Sequence, residues 1–119
     1  MLSLTGYRLV LWTGASEMRL SFNGLSGLVC NEIKEDPFLY GTIYAFFNQK
    51  RTQVKLLAWD VDGFAIYYKR LARGSFGKPV YDSSVKMMVL EKKDLLLMLE
   101  GVEIRYRKRY SRSPIRQVS

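Results

Sequence analysis

The chain has 119 residues, 48% of them hydrophobic, and 19 lysines and arginines against 11 aspartates and glutamates give it a formal net charge of +8. Histidine is absent and Cys30 is the single cysteine, which excludes an intramolecular disulfide, a structural zinc site and histidine-based acid–base catalysis. No apolar run nears the roughly 20 residues a membrane helix needs, and segment 1–12 lacks the basic opening and long apolar stretch of a signal peptide. A reducing cytoplasm with no membrane partner is expected, and Cys30 reads as a small buried hydrophobe on an apolar helix face.

The charge is uneven. Residues 1–104 hold 13 basic and 11 acidic side chains, whereas 105–119 hold six basic and no acidic ones. A tail of this sign reads as an electrostatic arm for nucleic acid, or else as a solvated terminus.

In chain order, Tyr7 to Trp12 alternates weakly and is rich in β-formers, predicting a strand ended by Thr13-Gly14. Ser16 reads as a helix cap with Glu17 in the first turn. Met18, Phe22, Leu25, Val29 and Ile33 then form one apolar stripe, predicting an amphipathic helix over 16–35. Gly24 and Gly27 inside it suggest close approach of another backbone, and Asp36-Pro37 stops it. Three strands follow, Thr42 to Phe47, Gln53 to Trp59 and Phe64 to Lys69. They are joined by the polar loop 48–52 and by the turn Asp60-Val61-Asp62-Gly63, whose glycine suits a positive φ. These short loops predict an antiparallel meander. After a glycine-rich connector over 71–79, Val85 to Leu90 reads as a strand and Glu91 to Glu100 as a leucine-rich helix capped by Gly101. Nothing periodic follows Arg105. The expected organisation is one domain over 1–104 and a basic flexible tail over 105–119.

Asp60 and Asp62 before Gly63 could be imagined as cation ligands. A calcium loop would need a glutamate six residues after the glycine, however, and Lys69 stands there. They read as turn residues that bond local amides. No metal and no cofactor is expected. Residues 50–78 carry Lys50, Arg51, Lys55, Lys69, Arg70, Arg73 and Lys78 against two acids, interleaved with Tyr67 and Tyr68. Such interleaving suits phosphate contacts with base stacking, and the plain alternative is a sheet edge protected by charge. A tyrosine nucleophile at Tyr67 or Tyr68 would need clustered phosphate-holding groups. Core packing of Tyr68 and edge packing of Tyr67 explain them better.

Three segments carry a family resemblance. Glu17-Met18-Arg19-Leu20-Ser21-Phe22-Asn23-Gly24-Leu25 is similar to the pattern Asp-Met-Arg-Lys-Gly-Phe-Asp-Gly-Leu. Lys55 to Phe64 resembles a Lys-Ile-Leu-x-Trp-Asp-x-Asp-Gly-Phe strand and turn, and Tyr67 to Phe76 a Tyr-Lys-Arg-Leu-x-x-Gly-x-Phe block. Asp36-Pro37-Phe38 and Leu99-Glu100-Gly101 fall in order around them. Over about residues 8–104 the chain thus resembles the TnpB-type (second open reading frame) accessory proteins of the sixty-six family of bacterial insertion sequences. The resemblance implies a non-enzymatic role in transposition beside a separate transposase. Leu20 stands where the pattern has lysine and Ser21 where it has glycine. The strand-and-turn and Lys69-Arg70-Leu71 blocks match better.

The expected fold is α+β, an antiparallel sheet of four to five strands packed on one amphipathic helix, plus a short C-terminal helix. The expected partners are DNA and the transposase. Lys55, Lys69, Arg70, Arg73, Lys50, Arg51 and Arg19 are the candidate phosphate contacts, with Arg105, Arg107, Lys108 and Arg109 of the tail. Trp59, Phe64 and Tyr67 would form an aromatic patch if the protein instead docks on the transposase without touching DNA.

Overall fold

The computed structural model describes residues 4, 6–60, 62–82, 84–101 and, for the backbone, 104–105. Arg107, Lys108, Arg109 and the rest of the expected basic tail lie outside the described residues. Strands β1 (Arg8–Trp12), β2 (Thr42–Phe47), β3 (Gln53–Asp60), β4 (Gly63–Arg70) and β6 (Met87–Leu90) form one sheet in the order β4-β3-β2-β1-β6. Helix α1 (Phe22–Leu28) runs on into a π-helical turn (Val29–Ile33), α2 spans Lys92–Leu99, and β5 (Pro79–Val80) pairs with β7 (Ile104–Arg105).

The α+β expectation holds, and the β2-β3-β4 meander is antiparallel throughout. The sheet as a whole is mixed, because β1 and β2 run parallel, Arg8 beside Thr42 and Leu11 beside Ala45. The cause is the connection 13–41. It crosses one face of the sheet as α1 and returns the chain to the end where β1 began, the crossover that parallel neighbours require. Strand β6 then adds antiparallel to the free side of β1.

Helices cover both faces. Val10, Tyr44, Phe46 and Leu57 pack under Leu25, Val29 and Ile33. Leu9, Leu11, Ile43, Ala45, Phe47, Val54, Leu56 and Ala58 pack under Leu95 and Met98 of α2 and under Phe76 of the connector. All six residues of β2 are therefore buried. At about 25 cal/mol per Å² of apolar surface, the burial of these side chains is the main force holding the layers together.

Several local expectations change. Helix α1 starts at Phe22 with Ser21 at its N-cap, five residues later than a Ser16 cap requires. Residues 16–20 are instead held on the sheet: Ser16 N donates to Phe47 O (3.0 Å) and Leu20 O accepts from Lys55 Nζ (2.6 Å). The Ser16 side chain caps nothing, and its Oγ is buried with no partner among the described residues. A Cβ on Gly24 would meet Leu20 Cδ2 at 2.6 Å, so that glycine makes room for a side chain, while Gly27 has nothing closer than 4.0 Å. Cys30 is exposed, because the buried stripe runs through Val29 and Ile33 and leaves it on the outer side. Gly63 faces Asp60 across the hairpin without a positive φ; among the described residues other than glycine, positive φ occurs at Lys34, which ends the helix at φ 64°, and at Arg51, at φ 57°. Strand register also reverses the two tyrosines. Tyr67 pairs with Leu56 and packs on the α2-side core, whereas Tyr68 pairs with Lys55 and is 49% exposed. Gly101, at φ 92°, follows α2 as its terminating glycine.

Candidate nucleic-acid interface

The cations of 50–78 gather where the β2–β3 loop meets the end of β4 and the connector behind it. The loop is built around Asn48, whose Oδ1 accepts from Thr52 N and Gln53 N, both at 2.9 Å. It is tied to its neighbours by Leu71 N to Thr52 O (2.8 Å) and Phe76 N to Arg51 O (2.7 Å).

Arg51 is the brace of this corner. Its Nη2 and Nε donate to Gly77 O at 2.7 and 3.2 Å, and its guanidinium lies 4.2 Å from the centre of the Phe47 ring. Burial pulls its pKa below the usual arginine value. With its donors aimed at a backbone carbonyl, Arg51 is removed from the set of open cations. Lys55 is removed more completely: it is 9% exposed, its ammonium sits on Leu20 O and lies 5.0 Å from the Tyr68 ring centre. Arg19 is exposed but paired two-pronged with Glu17 (2.9 and 3.0 Å). That bond raises the arginine pKa and lowers that of the carboxylate.

Lys50, Lys69, Arg70, Arg73 and Lys78 remain, all exposed. Lys69 pairs with Val54 and Arg70 with Gln53, so the two project from opposite faces of β4. The charge therefore wraps a corner of the sheet and does not paint one face. Gly74, at φ 76°, turns the chain sharply just after Arg73. No carboxylate occurs in the sequence between Gly63 and Tyr81. Arg105 enters through its backbone, which pairs with Val80, two residues past Lys78. The chain thus leaves the described fold beside the basic connector.

The expected aromatic patch is half assembled. Trp59 and Phe64 meet edge to face at 5.0 Å, and Tyr67 lies on the other side of the sheet. Two residues that sequence reasoning missed complete the group. Phe38 packs on Trp59 at 5.1 Å and on Phe64 at 5.3 Å, and Phe22 stacks on Phe64 at 6.5 Å. Phe38 is 57% exposed. The Asp36-Pro37-Phe38 block was a visible landmark, but only the return of the chain after α1 sets its ring on Trp59.

A family model described as IS66 Orf2 like protein matches residues 7–109. The chain belongs to this family. Membership makes it an accessory protein of insertion-sequence transposition, a generally non-catalytic class. The match includes the five-stranded sheet, both helices and the exposed cations of the corner. It also runs past residue 104, so its span includes Arg105, Arg107, Lys108 and Arg109. No curated protein and no solved structure matches the chain. Among the described residues no helix is long and apolar enough to cross a membrane.

Proposed function

We propose that the protein binds DNA during insertion-sequence movement through the corner formed by Lys50, Lys69, Arg70, Arg73 and Lys78, with the basic residues from Arg105 onward as an auxiliary arm. The observation that carries this reading is the gathering of five exposed cations from three chain segments, around a stretch free of carboxylates. The groups present do electrostatic work only. Exposed lysines and arginines at a corner of the sheet suit phosphate contact without base readout. The protein takes no catalytic step in this reading; strand chemistry belongs to the transposase. A titration of labelled duplex DNA at two salt concentrations tests it. Affinity should fall with a slope of about −0.9 per phosphate neutralised. Absence of binding at low salt, or binding indifferent to salt, rejects it.

A second reading, docking on the transposase, is favoured by the half-exposed cluster of Phe22, Phe38, Trp59 and Phe64. Co-purification with the transposase from nuclease-treated extract, lost on changing Phe38 or Trp59 to alanine, supports that reading. Co-purification that vanishes on nuclease treatment returns the contact to DNA.

A further inference from the structure

Strand β4 is the edge of the sheet, and among the described residues nothing pairs with its outer side. It is eight residues long, unbroken by proline or bulge, and in continuous register with β3 from Asp60–Gly63 to Gln53–Arg70. Exposed edges are usually short, bulged, or marked by a charge in mid-strand. The opposite edge, β6, is only four residues long, whereas β4 carries no charge until Lys69. Because Leu71 N reaches across to Thr52 O, the odd-numbered residues of β4 turn their backbone bonding groups toward β3. Phe64, Ile66, Tyr68 and Arg70 turn theirs outward.

Charge is distributed along this edge in one direction. Asp60 and Asp62 flank its beginning, Lys69 and Arg70 form its end, and none of the four makes an ion pair among the described residues. A parallel neighbour of the same sequence would set like charges side by side. An antiparallel one sets Arg70 of each copy beside Asp62 and Phe64 of the other.

We infer that β4 is a self-pairing edge, through which two copies of the chain join antiparallel across a two-fold axis into one ten-stranded sheet. Residues opposite one another must share a sheet face, so the axis passes through a residue and not between two. Ile66 and Tyr67, in mid-strand, are the two positions that leave most of the strand paired. Lys50, Arg73 and Lys78 lie off the strand and stay open to solvent in the dimer, so this inference does not depend on the DNA reading.

Sedimentation velocity of the nuclease-treated full chain over a wide concentration range tests it. A monomer–dimer equilibrium is expected. Arg70→Glu should weaken the dimer about tenfold, and Asp62→Arg in the same chain should restore it. Tyr68→Pro removes an outward N–H at an exposed position without touching the β3 ladder, and should give a folded monomer by circular dichroism. In a Cys30→Ser background, oxidation should cross-link Ile66→Cys or Tyr67→Cys, whichever sits on the axis, since facing residues there bring Cα atoms within disulfide range. A chain that stays monomeric at every concentration overturns the inference. So does a dimer indifferent to Arg70→Glu and to folded Tyr68→Pro, which would place the contact elsewhere, for example on the Phe38 cluster.

Discussion

The ammonium of Lys55 donates to the backbone carbonyl of Leu20 at 2.6 Å, so a side chain that charge counting assigns to DNA fastens the approach to α1 onto β3. Replacing it with methionine keeps the aliphatic stem and leaves the Leu20 carbonyl without its charged donor. The expected cost is about 2 kcal/mol, the range for a hydrogen bond to a charged group, read as a lower urea midpoint. The salt slope of DNA binding should not change. A slope reduced by one phosphate would show that Lys55 reaches DNA after all.

Lys50 and Arg51 are adjacent and carry the same charge, yet they should fail differently. Lys50 is exposed at the loop tip, and Lys50→Ala should leave the melting temperature in place while lowering the DNA salt slope by about 0.9. Arg51 bridges to Gly77 and covers Phe47. Arg51→Ala should cost about 2 kcal/mol by unpairing Gly77 O and uncovering the ring. Thermal melts and paired DNA titrations of both variants separate the two roles.

Acid should loosen α1 from the sheet through Glu35. Arg8 donates to both its oxygens at 2.8 Å and the Tyr44 hydroxyl donates at 2.7 Å. The Arg8 bond holds the Glu35 pKa below its ordinary 4.5, helped by Tyr44 and opposed by burial. A depressed folded-state pKa gives stability that is complete above the unfolded value and lost as pH falls through the folded one. Urea midpoints measured from pH 7 downward should therefore fall less steeply in Glu35→Gln than in the wild type. Tyr44 is shifted the opposite way, raised first by burial and then by its bond to Glu35. Its share is present below the ordinary tyrosine value and lost as pH climbs past the raised one. Identical acid limbs for Glu35→Gln and the wild type would remove Glu35 from this role.

Phe38 touches two rings while more than half exposed. Phe38→Ala should cost only about 1 kcal/mol, the value of an aromatic pair beyond its buried area. It should shift the emission of Trp59 to longer wavelength as the indole gains water. An unchanged emission maximum would mean that Phe38 does not shield Trp59 in solution.

Sequence periodicity located the core well where each side chain had one master. The bounds of β2 were legible because five β-formers and one alanine stand between Gly41 and the polar loop 48–52, and the alternation of β3 correctly divided Val54, Leu56 and Ala58 from Lys55, Leu57 and Trp59. It failed where a residue answers to a partner distant in sequence. Ser16 looks like a cap, but its amide serves Phe47; Lys55 and Arg51 look like free cations, but the carbonyls of Leu20 and Gly77 lie in segments whose position only the fold defines. The parallel pairing of β1 with β2 had no local sign either, since strand direction follows from where α1 delivers the chain. The candidate cations of 50–78 that stayed exposed, Lys50, Lys69, Arg70, Arg73 and Lys78, stand at a loop tip, a strand end and a connector.

The placement of β1 between β2 and β6 also orders the assembly of the protein on the ribosome. The β2-β3-β4 meander joins neighbours in sequence and can close early, as local pairings do. Strand β1, though made first, must wait for residues 42–47 for one neighbour and for residues 87–90 for the other. Until the last of these emerges, Val10 and Leu11 have an open edge beside them, and the leucines of α2 are not yet there to cover the second face. A nascent chain truncated before β6 should remain protease-sensitive in its N-terminal segment while its meander is already protected.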